Sequence, residues 1–263
     1  MTAKKGDSNW QFTVLGSGTS QGVPVIGCTC AVCQSNDPKD QRLRSSLYVQ
    51  KGSTRLIVDA GPDFRQQLLN NQIADIDAVL ITHEHQDHTA GIDDLRAINF
   101  MQKHAIPIYC TEPVEERLRE QYSYIFKNSK YPGIPQIHFK RLDEAPLQIG
   151  EINIEPIQLM HWDLPVYGFR FGPLAYLTDA NKLLETEWEK LQNLEVLILN
   201  ALRKEKHHSH FNLEEALALA DQLSVPQLYL THISHQMGLH KEVEDTLKTD
   251  RKLAFDGLQL SLD

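Results

Sequence analysis

Between Thr82 and His88 the chain reads Thr-His-Glu-His-Gln-Asp-His, and no other stretch constrains the fold as tightly. Three imidazoles and the Asp87 carboxylate fall within six residues, just after the apolar segment Ala78-Val79-Leu80-Ile81. A short apolar run of that kind reads as a buried strand, so the polar cluster stands at a strand's carboxyl end. Four such groups packed together would repel and desolvate one another unless a cation lay between them. Imidazole and carboxylate are the donors that bind Zn²⁺, Mn²⁺ and Fe²⁺. The run therefore predicts a metal site delivered by a strand. The competing reading, a solvated His-rich loop, leaves unexplained the donors that follow later strands in the same way.

Those donors come in order along the chain. Ile152 to Leu159 alternates as a half-buried strand does and leads to His161. Val166 to Phe171 and Leu174 to Leu177 read as a hairpin through Gly172-Pro173, which ends at Asp179. Gln227 to Leu230 is a strand followed by His232 and His235, and two histidines three apart can serve two different metals. Asp59 closes the expected strand Thr54 to Asp59, either as an acceptor that orients a ligand imidazole or as a turn-former before Gly61. Lys206-His207-His208-Ser209-His210 precedes the amphipathic helix Leu213 to Leu223. A histidine ahead of a helix N-terminus sits where anions bind. His210 is the functional candidate there, His208 stays open, and His207 reads as solvated. A separate cluster, Cys28, Cys30 and Cys33, has the spacing of a thiolate clamp and leaves a tetrahedral zinc one ligand short. Cys110 could supply it, but it closes the strand Pro107 to Cys110 and reads as an ordinary buried thiol.

The chain has 263 residues, 41% of them apolar, with neither repeat nor linker, so a single domain over 1–263 is expected. Its 28–33 segment would be a zinc-binding insert, and 112–135 a lid or substrate loop. Further helices are expected at Phe64 to Asn70, Asp93 to Lys103, Glu112 to Tyr124 and Leu183 to Leu191. The net charge of −9 disfavours a nucleic-acid partner, which selects basic surfaces. The polar start, Met1 to Asn9, and the lack of any long apolar run predict a cytoplasmic protein with no membrane segment. The cysteines are then thiols or ligands rather than disulfides.

The succession of strand, His-x-His-x-Asp-His, and then His, Asp and His at later strand ends resembles the metallo-β-lactamase superfamily from Trp10 to the end. Three narrower marks make the chain similar to the PhnP-like cyclic phosphodiesterases. They are Gly27-Cys28-x-Cys30-x-x-Cys33, Thr231-His232-x-x-His235, and Val58-Asp59-Ala60-Gly61-Pro62-Asp63-Phe64-Arg65. The resemblance implies an α/β (α+β) fold, a four-layer αβ/βα sandwich of two mixed β-sheets flanked by helices. It implies that His83, His85 and His161 hold one metal, that Asp87, His88 and His232 hold a second, and that Asp179 bridges them. Manganese or zinc is implied for the pair, and the donor set also suits iron. Cys28, Cys30, Cys33 and His235 would hold a structural zinc. His210 would serve as acid or base, with Asp87 beside it at the catalytic centre. The implied reaction is hydrolysis of a small cyclic phosphate or phosphodiester, such as phosphoribosyl 1,2-cyclic phosphate, by a metal-bridging hydroxide.

Rival readings are another hydrolase on the same scaffold (thioesterase, lactamase or RNA-processing nuclease) and an inactive metal-stabilised binding protein. The absence of an export signal and of a basic arm weighs against the lactamase and the nuclease, and the full set of donors weighs against a dead site. Arg65, Lys127, Lys130 and Tyr131 are candidate phosphate or sugar contacts, with surface charge the simpler reading. Homo-oligomerisation stays open.

Overall fold

The computed structural model describes residues 9–127 and 133–263. The apolar runs form strands β1 (Trp10–Gly16), β2 (Ser46–Lys51), β3 (Thr54–Val58), β4 (Ala78–Leu80), β5 (Ile106–Cys110), β6 (Ile137–Arg141), β7 (Leu147–Ile149) and β8 (Ile152–His161). They continue with β9 (Leu164–Phe171), β10 (Leu174–Leu177), β11 (Lys182–Leu183), β12 (Val196–Asn200), β13 (Gln227–Thr231), β14 (Arg251–Leu253) and β15 (Gln259–Leu262). The helices are α1 (Phe64–Asn70), α2 (Gln86–Thr89), α3 (Leu95–Gln102), α4 (Glu112–Gln121), α5 (Ser123–Phe126), α6 (Leu213–Gln222) and α7 (His240–Glu244).

One sheet runs β15-β1-β2-β3-β4-β5-β6, and the other runs β11-β8-β9-β10-β12-β13-β14 with β7 on β8. Each sheet is mixed. Hairpin neighbours such as β2–β3 and β9–β10 are antiparallel. The strands beyond them, β3–β4–β5–β6 and β10–β12–β13–β14, are parallel. Parallel strands buried on both faces need near-continuous apolar sequence, which explains why β4 and β12 carry no polar alternation over their buried length.

The side-chain period of two sorts these residues into layers. Phe12, Val49, Leu56 and Leu80 of the first sheet meet Phe169, Phe171, Tyr176 and Ile198 of the second in a shared core. On the outer side of the first sheet, Ile57, Val79 and Ile108 pack against Phe64 of α1, Leu95 of α3 and Leu118 of α4. On the outer side of the second, Leu197, Leu199 and Leu230 pack against Ala216 and Leu219 of α6 and Val243 of α7. The result is the expected helix–sheet–sheet–helix sandwich.

Two expected helices are altered by tertiary contacts. Leu183 to Leu191 is a short β11 pairing, Lys182 opposite Met160, followed by a 3₁₀ segment over Glu185–Leu191. Glu187 anchors it, because its buried carboxylate accepts from Gln158 N (3.0 Å) and Lys190 Nζ (2.8 Å). Glu112 to Tyr124 breaks at Tyr122, whose buried hydroxyl donates to Thr89 O on α2 at 2.8 Å. Lys127 is exposed just past α5, and exposed Arg65 lines an apolar groove with Leu68, Leu69 and Met101. Lys130 and Tyr131, and with them part of the 112–135 loop reading, lie outside the described residues.

The turn after β3 is pressed against the turn that carries the histidine motif. Ala60 N donates to His88 O at 2.8 Å, and a Cβ on Gly61 would meet Asp87 O at 2.0 Å. Gly61→Ala is therefore expected to cost about 1–3 kcal/mol of stability and to weaken metal retention by shifting Asp87. A melting curve with metal analysis checks this, and wild-type values for both would contradict the close approach.

Candidate metal centre

Every histidine-motif donor and every later donor stands at one edge of the sandwich, where strand ends of both sheets meet. The backbone pays for that convergence at three points: Asp59, Asp179 and His232 have φ of 64°, 55° and 55°. The left-handed region costs non-glycine residues about 1–3 kcal/mol each and persists where surrounding bonds over-determine it. Asp59 N donates to Leu80 O at 2.9 Å, Ala180 N to Asn200 Oδ1 at 2.9 Å, and Ile233 N to Ser17 O at 2.9 Å.

Asp59 is completely buried and orients two imidazoles. His88 Nδ1 donates to Asp59 Oδ2 at 2.6 Å. Thr82 Oγ1 donates to the same oxygen at 2.9 Å and accepts from His83 Nδ1 at 2.9 Å. With both Nδ1 atoms donating, His83 Nε2 and His88 Nε2 face the cluster, and both buried atoms lack a hydrogen-bond partner. His161 is fixed in the same way, donating from Nδ1 to Ser209 O at 2.8 Å. His232 presents Nδ1 to Asp179 Oδ1 at 2.8 Å, with Nε2 at 3.3 Å from Thr19 Oγ1 and Nδ1 at 3.2 Å from Ser45 Oγ.

Asp179 lies at the centre. Its Oδ2 is 3.3 Å from His88 Nε2 and 3.8 Å from His83 Nε2, and Asp87 Oδ2 is 3.2 Å from His88 Nε2. The ring of His85 is 4.5 Å from that of His83 and 5.2 Å from that of His161. Donor atoms of Asp87, His88, Asp179 and His232 lie within 4.8 Å of one another, as do those of His161, Asp179 and His210. His210, not His208, is drawn in: it is buried, with its ring 4.6 Å from His161 and 4.9 Å from His232, whereas His208 is exposed.

The electrostatics fit a cationic occupant. Burial pushes the Asp179 carboxyl up, but His232 and His88 beside it outweigh burial and hold it well below the ordinary range. Burial lowers His88, yet Asp179, Asp87 and Asp59 together raise it well above its usual value. Without a metal, a proton on His88 neutralises part of the carboxylate charge. His210 goes the other way: burial first, then the charge of His232, lowers it to about 2, so it is neutral.

The cysteine site forms between the 28–33 loop and the turn after β13. Cys28 Sγ and Cys30 Sγ are 3.4 Å from His235 Nδ1, and Cys33 Sγ is 3.6 Å from it. A tetrahedral zinc with ordinary Zn–S and Zn–N bonds separates S from N by about 3.5 Å. The Cys33 N–H donating to Cys30 Sγ, followed by His235, lowers the Cys30 thiol to about 6, which favours the thiolate a metal needs. Cys110 is buried in the core of the first sheet, far in the packing from this loop.

Ser209, Thr19 and Ser45 were invisible as orienting partners in the sequence, and only Thr82, inside the motif, carried a signal. The others act through a backbone carbonyl or a hydroxyl brought close by the fold.

Two outcomes follow. Metal binding at the histidine cluster must displace the His88 proton, and the raised His88 value makes that competition stronger as pH falls. Affinity should therefore weaken as the pH falls, which calorimetric titration measures; a pH-independent Kd contradicts the assignment. Cys30→Ser should shed the thiolate-bound metal and leave the cluster metals in place, read by elemental analysis, with unchanged content as the contrary result.

Residues 54–233 match the model of the β-lactamase superfamily domain. A solved diphosphatase of the PhnP family superposes with a TM-score of 0.91 at 38% identity, over 97% of each chain. The octanoyltransferase of Porphyromonas gingivalis is 39% identical over 95% of this chain but only 51% of its own length, so the chain spans about half of that relative. Zn²⁺-bound PqqB from Methylobacterium extorquens shares the fold, with a TM-score of 0.76 at 19% identity over 96% of this chain and all of that one (100%). No helix among the described residues is long and apolar enough to cross a membrane. The chain is a hydrolase-fold protein that belongs to the metallo-β-lactamase superfamily and, within it, to the PhnP family.

Proposed function

We propose that this chain is a two-metal hydrolase of small phosphorylated substrates, cleaving a phosphodiester or a diphosphate bond, with a cyclic ribose phosphate as one member of that class. The observation that carries the reading is the pair of unpartnered buried nitrogens, His83 Nε2 and His88 Nε2, aimed at the Asp179 carboxylate. The PhnP-family diphosphatase, alike over its full length, supports phosphorus as the reacting centre. The octanoyltransferase supports acyl transfer less, because its name belongs to a protein about twice as long as the matched region.

His83, His85 and His161 would hold one divalent ion, Asp87, His88 and His232 the other, and Asp179 would lie between them. When bound, such ions lower the pKa of water toward neutrality and neutralise charge growing on the phosphoryl oxygens. The chain's own part is orientation and hydrogen bonding. Asp59, through His88 and through Thr82 to His83, holds each Nδ1 as the donor and so turns each Nε2 toward the cluster. His210 is neutral, so the acid–base role narrows to donating a hydrogen bond from its ring N–H to a phosphoryl oxygen as charge accumulates there. A second reading has His210 as a ligand, since it shares a 4.8 Å group with His161 and Asp179.

Reconstituted with Mn²⁺ or Zn²⁺, the protein should turn over bis-p-nitrophenyl phosphate, 2′,3′-cyclic nucleotides or the cyclic ribose phosphate, and neither a β-lactam nor a thioester. Turnover of only the last two would overturn the reading. His210→Ala should lower kcat by about 10²–10³-fold with full metal content. Loss of metal in that variant would favour the ligand role instead.

A further inference from the structure

Trp162 stands directly after His161, at the turn joining β8 to β9, and is 63% exposed. The two other tryptophans are covered: Trp10 is 5% exposed, and Trp188 is packed against the core of the second sheet. Its φ is 56°, a conformation that turns ordinarily give to glycine or asparagine. The backbone there gains nothing from an indole, and an exposed indole loses the burial that normally stabilises it. The turn is nonetheless tightly held. Asn181 Oδ1 accepts from Trp162 N at 2.9 Å, Asn181 Nδ2 donates to His208 O at 2.8 Å, and Asn181 N donates to Met160 O at 2.9 Å.

That clamp sets Trp162 beside His208, with ring centroids 5.5 Å apart and planes at 82°. From there a ladder of rings leads inward: His208 to His207 at 4.3 Å, His207 to His210 at 5.3 Å, and His210 to His161 at 4.6 Å. The two rings stand at right angles, Trp162 stays largely exposed, and the exposed imidazole adds a hydrogen-bonding group beside the indole. An exposed indole and a polar group beside it fit a flat heteroaromatic ring carrying donors and acceptors, at the rim of a centre suited to phosphate.

We propose that Trp162, with His208, is a stacking platform for a nucleobase, so that the preferred substrates are nucleotide phosphodiesters or nucleoside diphosphates rather than base-free sugar phosphates. This rests on the phosphohydrolase reading above. The metal-loaded protein, with Trp162→Ala and Trp162→Phe, is titrated with AMP and with ribose 5-phosphate. Trp162→Ala should reduce the ratio of AMP affinity to ribose 5-phosphate affinity about tenfold, a stacking loss of ordinary size, and Trp162→Phe should keep most of that ratio. An unchanged ratio in Trp162→Ala, whether both ligands weaken together or neither does, overturns the platform. Hydrolysis of 2′,3′-cyclic AMP by the wild type is measured in parallel. Base-selective AMP binding without turnover of any phosphorus substrate would refute the phosphohydrolase reading and leave the platform standing.

Discussion

One carboxylate organises this molecule. Asp179 is buried at 2.8 Å from His232 and 3.3 Å from His88, among groups that reach it from both sheets. A buried charge is tolerated only where it is paired and hydrogen-bonded. Here the pairing requires β4 of one sheet and β10 and β13 of the other to end at the same edge. The shared core beneath, with Leu56 and Leu80 facing Tyr176 and Ile198, holds those ends in register. Removing the carboxylate would leave imidazoles with no common partner, and removing the core would leave the carboxylate without its imidazoles.

The second tier of interactions decides which nitrogen of each ring faces inward. Asp59 does this for His88 directly and for His83 through Thr82, and the Ser209 carbonyl does it for His161. The left-handed turns at Asp59, Asp179 and His232 are the backbone form of the same demand, since each redirects a side chain from the strand axis toward the common edge. The turn that delivers His232 also delivers His235 to the cysteines, so a displacement at the thiolate clamp acts on the same short segment as the histidine cluster.

Much of this was legible in the chain itself. Strand-end placement of His161, Asp179 and His232 could be read because apolar runs mark buried strands and the donors follow them. The layer order came through the family resemblance rather than through periodicity. What could not be read depends on contacts between distant segments. The Glu185–Leu191 segment has the apolar spacing of a helix, yet a buried Glu187 bonded to Gln158 N makes it 3₁₀. Tyr122 interrupts an otherwise good helix to reach Thr89 O. The choice between His208 and His210, two residues apart before α6, is made by burial against His161 and His232. The sequence carries no signal for Trp162; its exposure and its φ set it apart.

The central claim is that Asp179 joins two metal positions into one centre, separate from the thiolate site. Asp179→Asn keeps the shape and removes the charge, so it isolates that claim. Elemental analysis after reconstitution with excess Mn²⁺ and Zn²⁺ and buffer exchange is the direct test. The account predicts that Asp179→Asn, folded by circular dichroism, keeps the metal held by Cys28, Cys30, Cys33 and His235 and loses both members of the histidine–carboxylate pair. Retention of the full wild-type metal complement by Asp179→Asn would contradict it.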